Sequence, residues 1–259
     1  MIFRPLLGTF LGLLLAFPAD ALEVRVQPKA VLELFTSQGC ASCPPADALL
    51  TKLAQRPDVI ALSYHVDYWD YIGWPDTFGA KANTARQKDY ATRWGSNRIY
   101  TPQMVVNGVK GVVGSRQQEI DGVVRSTKLT LPVALNTSDG MLAIDIEGQA
   151  GLADAVVWLV TYLDRADVAI ERGENEGKHV TYTNVVTSRQ AIGMWEPGAG
   201  AHLKLPLSEV MTGDSNGAVI IVQEEAGACP EIFWALRHFS NSGAPITKLP
   251  PGQGGRKSV

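Results

Sequence analysis

Cys40 and Cys43 stand at C-x-x-C spacing within Val31-Leu32-Glu33-Leu34-Phe35-Thr36-Ser37-Gln38-Gly39-Cys40-Ala41-Ser42-Cys43-Pro44-Pro45. An apolar, β-prone run precedes them and Gly39 marks a turn. Ala46, Leu49, Leu50 and Leu53 then follow at helical period. A thiolate at the head of a helix faces unsatisfied N–H groups and the positive end of the macrodipole. Its pKa is expected to fall below the roughly 8.5 of a free cysteine. Cys40 is the expected nucleophile, and Cys43, three residues on, the expected resolving thiol. Pro44 and Pro45 fit a first helical turn, where N–H groups have no intrahelical acceptor to lose.

The elements around this stretch begin with export. Met1 to Arg4 is a short basic region, Leu6 to Phe17 an apolar one, and Ala19-Asp20-Ala21 a cleavage site of small residues. Residues 1–21 are expected to be a signal peptide, because the apolar run is shorter than the ~20 residues that span a bilayer. The protein is therefore expected to be periplasmic or secreted, with no membrane attachment after cleavage. In such a compartment Cys40 and Cys43 are expected to rest as a disulfide. With 3 cysteines in 259 residues, a disulfide scaffold is not expected, and Cys229 is left over as either a buried inert thiol or an exchanging one. The net charge of −3 and the lack of clustered Lys and Arg argue against a nucleic-acid surface.

Val59 to Val66 predicts a strand buried on both faces, which with the first strand and the cysteine helix makes a βαβ unit. Asp67-Tyr68-Trp69-Asp70-Tyr71-Ile72-Gly73-Trp74-Pro75-Asp76 follows the carboxyl end of that strand, where ligands bind in open α/β sheets. Asp67, Tyr68, Trp69 and Asp70 are substrate-groove candidates there, with core capping as the alternative use of the aromatics. A polar helix is expected over 84–94. A hairpin turning at Asn107-Gly108 and a helix opened by a Ser115–Gln118 capping box should follow.

This order of elements, with C-x-x-C after the first strand and Thr101-Pro102 before the third, resembles the thioredoxin fold. In that superfamily a cis-proline stands beside the cysteine pair, and Pro102, with Thr101, occupies the matching place. After residue 129, short alternating segments separated by Gly, Asn and Asp turns predict an antiparallel β-sandwich. The expected organisation is thus an α/β thioredoxin-like domain (22–128), a β-sandwich-like domain (129–240) and a flexible tail (241–259). The stretch Arg172-Gly173-Glu174-Asn175-Glu176-Gly177 is expected either as a solvated turn or as a loop docked on the first half.

The combined pattern resembles the exported, thioredoxin-like family catalogued as domain of unknown function 1223. The resemblance rests on Glu33 to Cys40 with Cys43-Pro44-Pro45, Val66 to Asp70, Gly73-Trp74, Tyr100-Thr101-Pro102-Gln103, Gly173-Glu174-Asn175 and Asn184-Val185-Val186. It implies a fold and a cysteine pair, and no established reaction. The two prolines after Cys43 depart from ordinary thioredoxins, where a basic residue usually follows.

Three functions suit these residues. The first is a thiol–disulfide oxidoreductase without a cofactor, acting on a protein or small-molecule thiol or disulfide with a separate redox partner. Cys40, Cys43 and Pro102 would form its centre, with Asp47, Asp67 and Asp70 as candidate proton acceptors. The second is a copper carrier using Cys40, Cys43 and His65, since thiolates and imidazole suit Cu(I). The third is a partner-binding module in which the disulfide is only structural.

Overall fold

The computed structural model describes residues 28–210, 213–224, 232–237 and 246–247. The expected signal peptide and Cys229 lie outside the described residues, as does most of the expected tail. Within that tail Ile246 and Thr247 pair in parallel with Ala166 and Asp167.

The first half runs β1 (Ala30–Thr36), α1 (Pro44–Ala54), β2 (Val59–His65), a 3-10 turn (Asp70–Ile72), α2 (Lys81–Arg93), β3 (Gln103–Val106), β4 (Lys110–Val113) and α3 (Gln117–Ser126). β1 and β2 are buried along their whole length and pair in parallel from Ala30↔Val59 to Thr36↔His65. Their mainly apolar sequence, interrupted by the buried Glu33, Ser63 and His65, fits strands covered on both faces. On one face Leu32 and Leu34 meet Leu49, Leu50 and Leu53 of α1 and Ile120 and Val124 of α3. On the other, Val31 and Phe35 join Tyr64 of β2 and Tyr90 of α2. The β3–β4 turn has Asn107 and Gly108 at positive φ (49° and 74°), as a type I′ hairpin requires.

Two local expectations change. Helix α2 starts at Lys81 rather than Thr84, and α3 has Arg116 at its N-cap with no side-chain cap hydrogen bond. The Ser115–Gln118 capping box therefore does not form. A surface pair between Arg116 and Glu119 at 2.9 Å occupies that turn instead.

The second half contributes β5 (Val133–Ser138), β6 (Met141–Ile146), β7 (Ala155–Ala169), β8 (His179–Trp195), β9 (Ala201–Pro206), β10 (Gly217–Glu224), β11 (Ile232–Arg237) and β12 (Ile246–Thr247). The halves were expected as successive units, yet one sheet runs through both in the order β11-β10-β7-β8-β2-β1-β3-β4, with β12 on β7. The seam is β2 against β8, where Ser63 stands opposite Val185 and Asn184 Nδ2 donates to Ala61 O at 2.7 Å. Asn184 holds a positive φ of 50° there, a conformation that asparagine tolerates better than most residues. The free edge of β2 is thereby covered. A smaller sheet, β5-β6-β9, packs Leu142, Ile144 and Ile146 onto Val157, Ile220 and Val222 of the large one. The result is a mixed α/β fold built on one large sheet.

Candidate functional site

Cys43 is the N-cap of α1, and Pro44 and Pro45 fill its first turn. The Cys43 carbonyl accepts from the N–H groups of Ala46 (2.8 Å) and Asp47 (3.1 Å). Cys40 lies one turn ahead of the helix, its carbonyl accepting from the Cys43 N–H at 3.1 Å. The two sulfurs are joined as a disulfide, with Cα atoms 5.4 Å apart. The pairing expected from the spacing is therefore present, with Cys43 rather than Cys40 at the helix head. Ser42 is exposed, and its hydroxyl lies 3.5 Å from the Cys40 sulfur.

The Thr101–Pro102 peptide is cis. Gly114 fixes its position relative to the cysteine helix, because the Gly114 N–H donates to Pro102 O at 2.9 Å. A methyl group on Gly114 would meet Leu34 at 2.7 Å, and Ala46 of α1 and Pro102 at 3.1 Å each. β1, the first turn of α1 and the cis-proline thus converge on one point. Thr101 Oγ1 accepts from Trp69 Nε1 at 2.7 Å, which adds one groove candidate to this corner.

The other groove candidates divide by use. Trp69 stacks on Tyr71, which is 79% exposed, so this pair presents an aromatic surface. Tyr68 OH donates to Gln87 of α2, Asp67 accepts from Thr84 of α2 at 2.6 Å, and Asp70 accepts from the Asp76 N–H at 3.0 Å. Those three groups, each partly exposed, also pin the segment. The segment presses on the cysteine turn, since a Cβ on Gly39 would lie 3.2 Å from both Trp69 Cβ and Ile72 Cδ1.

Two features have partners that the sequence did not indicate. The first is a buried polar chain centred on Asp76, whose Oδ2 accepts from the Gln38 N–H (2.8 Å) and lies 2.8 Å from His65 Nδ1. Gln38 in turn accepts from Trp74 Nε1 at 2.8 Å and donates to Thr77 Oγ1 at 2.7 Å. Trp74 and Asp76 belong to a carboxylate- and aromatic-rich stretch, but nothing in their spacing points at Gln38. The second is Asn175. Its side-chain amide, 1% exposed, donates to the carbonyls of Gln38 (2.8 Å) and Cys40 (2.9 Å), while Lys178 Nζ donates to its Oδ1 at 2.7 Å. Of the two expectations for this loop, docking on the first half is the one realised. Between the two loops Cys40 is 1% and Cys43 0% exposed.

Asp47 lies one helical turn after Cys43 and so on the same helix face. Its Oδ1 accepts from Thr36 Oγ1 at 2.7 Å, and its Oδ2 is buried without a hydrogen-bond partner. Burial pushes the Asp47 carboxyl up to about 7, against the opposing pull of His65 and the Thr36 hydroxyl. His65 Nε2 is likewise buried without a partner, and the ring packs edge-on against Tyr182 with centroids 4.6 Å apart. Among the described residues no three His, Cys, Asp or Glu side chains converge as metal ligands. In this disulfide-bonded state Cys40, Cys43 and His65 do not stand together as a donor set.

Fold and site together define a mixed α/β protein that carries a C-x-x-C disulfide at a helix head. The chain belongs to the family described as protein of unknown function DUF1223, whose profile matches residues 31–223. It is 35% identical to protein AGR_C_4864 from Agrobacterium tumefaciens, known from a crystal structure, over 85% of this chain and 98% of that one, with a TM-score of 0.74. HBP35 of Porphyromonas gingivalis shares the fold at 13% identity and a TM-score of 0.55, over 89% of this chain and 82% of that one. None of the curated proteins matches the chain.

Proposed function

We propose that the protein is an exported thiol–disulfide oxidoreductase whose first half is a thioredoxin-like unit merged with a β-rich second half. The observation that carries this reading is the convergence of the Cys40–Cys43 disulfide, the head of α1 and cis-Pro102 at one corner of the sheet. In the reductive direction the Cys40 thiolate attacks one sulfur of a substrate disulfide, forming a mixed disulfide and expelling the first substrate thiolate. Cys43, having given its proton to the Asp47 carboxylate, then attacks the Cys40 sulfur. That step re-forms the Cys40–Cys43 bond and expels the second thiolate, so two protein thiols are oxidised as one substrate disulfide is reduced. The reverse sequence oxidises a dithiol.

The near-complete burial of both cysteines favours a second reading, in which the disulfide is a fixed brace. The oxidoreductase reading answers it by requiring the Asn175 loop or the Trp69–Ile72 loop to move aside. Export to the periplasm or the medium is part of the proposal and rests on residues 1–21. No helix among the described residues is long and apolar enough to cross a membrane.

Trapping separates the readings. Cys43→Ser, incubated with a model peptide disulfide, is expected to accumulate one mixed disulfide per chain on Cys40, and Cys40→Ser none on Cys43. A Cys43→Ser protein that forms no adduct would overturn the oxidoreductase reading.

A further inference from the structure

Asp47 and His65 each bury a polar atom that no hydrogen bond satisfies, Oδ2 in one and Nε2 in the other. Such orphans are rare in folded proteins, and a working site is one reason to keep them. Thr36 and His65 are partners in the parallel β1–β2 register, so their side chains share the sheet face that α1 covers. Thr36 Oγ1 is also the group that donates to Asp47 Oδ1 at 2.7 Å. One cross-strand step therefore links the imidazole to the carboxyl. Both side chains are shut away from solvent, His65 at 0% and Asp47 at 3% exposure.

Asp76 decides how the imidazole is presented. Its Oδ2 lies 2.8 Å from His65 Nδ1, which sets the Nδ1 proton against the carboxylate and leaves Nε2 as the free nitrogen. The N–H groups of Gln38 and Phe78, both at 2.8 Å, anchor that carboxylate, the first of them in the turn that carries Cys40. Tyr182 of β8 and Phe78 close in the ring edge-on, with centroids 4.6 and 5.4 Å away.

The titratable groups of the cluster are thus Asp47 from α1, His65 from β2, Asp76 with its neighbour Asp70 from the segment after β2, and Tyr182 from β8, besides the cysteines. Burial and the Asp47 and Asp76 carboxyls hold the Tyr182 hydroxyl well above its usual range, so it stays neutral. Two charges then act on Asp47 in opposite senses. The imidazolium favours its carboxylate and Asp76 disfavours it, and the imidazolium has the larger effect. Without His65, burial would keep Asp47 protonated and useless as a base near neutral pH.

We propose that His65, oriented by Asp76, is a positioning residue for proton transfer at the cysteine pair: its ring sustains the Asp47 carboxylate that accepts the Cys43 proton. This rests on the oxidoreductase reading. As a mixed disulfide on Cys40 is resolved, the Cys43 S–H bond breaks and its proton passes to Asp47. The Cys43 thiolate then bonds to the Cys40 sulfur, and the substrate leaves as a thiolate. His65 and Asp76 make and break no covalent bond in that step.

Carbon-13 NMR titration of the Asp47 carboxyl in the full, disulfide-bonded chain tests the coupling without any turnover, its signal being the one that Asp47→Asn removes. His65→Gln is expected to raise the Asp47 midpoint by at least about one pH unit, a tenfold change in proton affinity. An unmoved midpoint overturns the proposal. A measurement on the native residue covers the case in which His65→Gln does not fold. The His65 ring nitrogens of the wild type should register the Asp47 titration and lose that step in Asp47→Asn, and nitrogens blind to Asp47 overturn the proposal equally. Single-turnover resolution of a Cys40 mixed disulfide should then show a pH inflection that follows the Asp47 midpoint from wild type to His65→Gln. An inflection that stays put while the midpoint moves contradicts the catalytic role. Failure of the oxidoreductase reading shows separately, as a missing Cys43→Ser adduct, and takes this role with it.

Discussion

The side-chain amide of Asn175 donates to the carbonyl of Cys40 at 2.9 Å, across 135 positions of sequence. A second bond from the same nitrogen reaches Gln38 at 2.8 Å, so one side chain clamps both ends of the turn that carries the first cysteine. Each is a buried polar contact, and losing the donor leaves two carbonyls without it. Asn175→Ala is therefore expected to loosen the loop and speed reduction of the Cys40–Cys43 disulfide by a water-soluble phosphine several-fold. Lys178→Met, which removes only the bond to Asn175 Oδ1, should have a smaller effect in the same direction. Time courses of thiol labelling read both, and an unchanged rate in Asn175→Ala would count against the loop as a cover.

Asp47 gives a pH signature whose sign can be worked out. Its folded pKa is about 7, raised by burial, against an unfolded value near 4. Between those values the folded state holds a proton that the unfolded chain has released. The contribution is fully present below about pH 4 and is lost as pH rises through 7, at a slope of at most roughly 1.4 kcal/mol per pH unit. Asp47→Asn has no such titration. The stability of wild type relative to this variant should fall between pH 4 and 7 in denaturant titrations, and parallel profiles would contradict the assignment.

Gly114 is expected to reject a side chain. Its substitution by Ala drives a methyl group to 2.7 Å from Leu34 and 3.1 Å from Ala46 and Pro102, which must shift apart. Overpacking of this kind costs about 1–3 kcal/mol. Chemical denaturation of Gly114→Ala should show a loss in that range, together with faster disulfide reduction if the corner splays. Wild-type stability would contradict the close convergence of β1, α1 and Pro102.

Removing one partner of a buried ion pair is costlier than never having had it. Glu33→Gln leaves Arg86 buried beside a neutral group and is expected to destabilise the fold by about 3–5 kcal/mol. Thermal unfolding at neutral pH measures it, and a shift of under ~1 kcal/mol would show the pair to be solvated.

Much of the first half was legible because its signals are local. An apolar run reads as a strand buried on both faces, Asn107-Gly108 as a hairpin, and cysteines before prolines as a helix head. The strands of the second half were legible for the same reason, from alternation between turn residues. What could not be read was the way the halves meet, since no local pattern says that Val185 will lie opposite Ser63 or that β2 will need a neighbour. The site divides along the same line. Cys40 and Cys43 stand out by their C-x-x-C spacing, and Thr101-Pro102 by the resemblance to the thioredoxin fold. Asn175, by contrast, is one polar residue in a glycine-bounded turn, and only the fold brings it to Gln38 and Cys40. Asp76 is hidden similarly, since its partners His65 and Gln38 are 11 and 38 positions away. The missing Ser115 cap shows the opposite error, a local pattern that the surrounding turn did not use.

The central claim, that Cys40 and Cys43 exchange with external thiols, is tested most directly by equilibrating the native protein in graded redox buffers and counting its free thiols. A cycling pair is expected to convert between disulfide and dithiol somewhere between about −120 and −270 mV, where known oxidoreductases titrate. A bond that stays fully oxidised until below about −300 mV would contradict the claim and identify the disulfide as a structural brace.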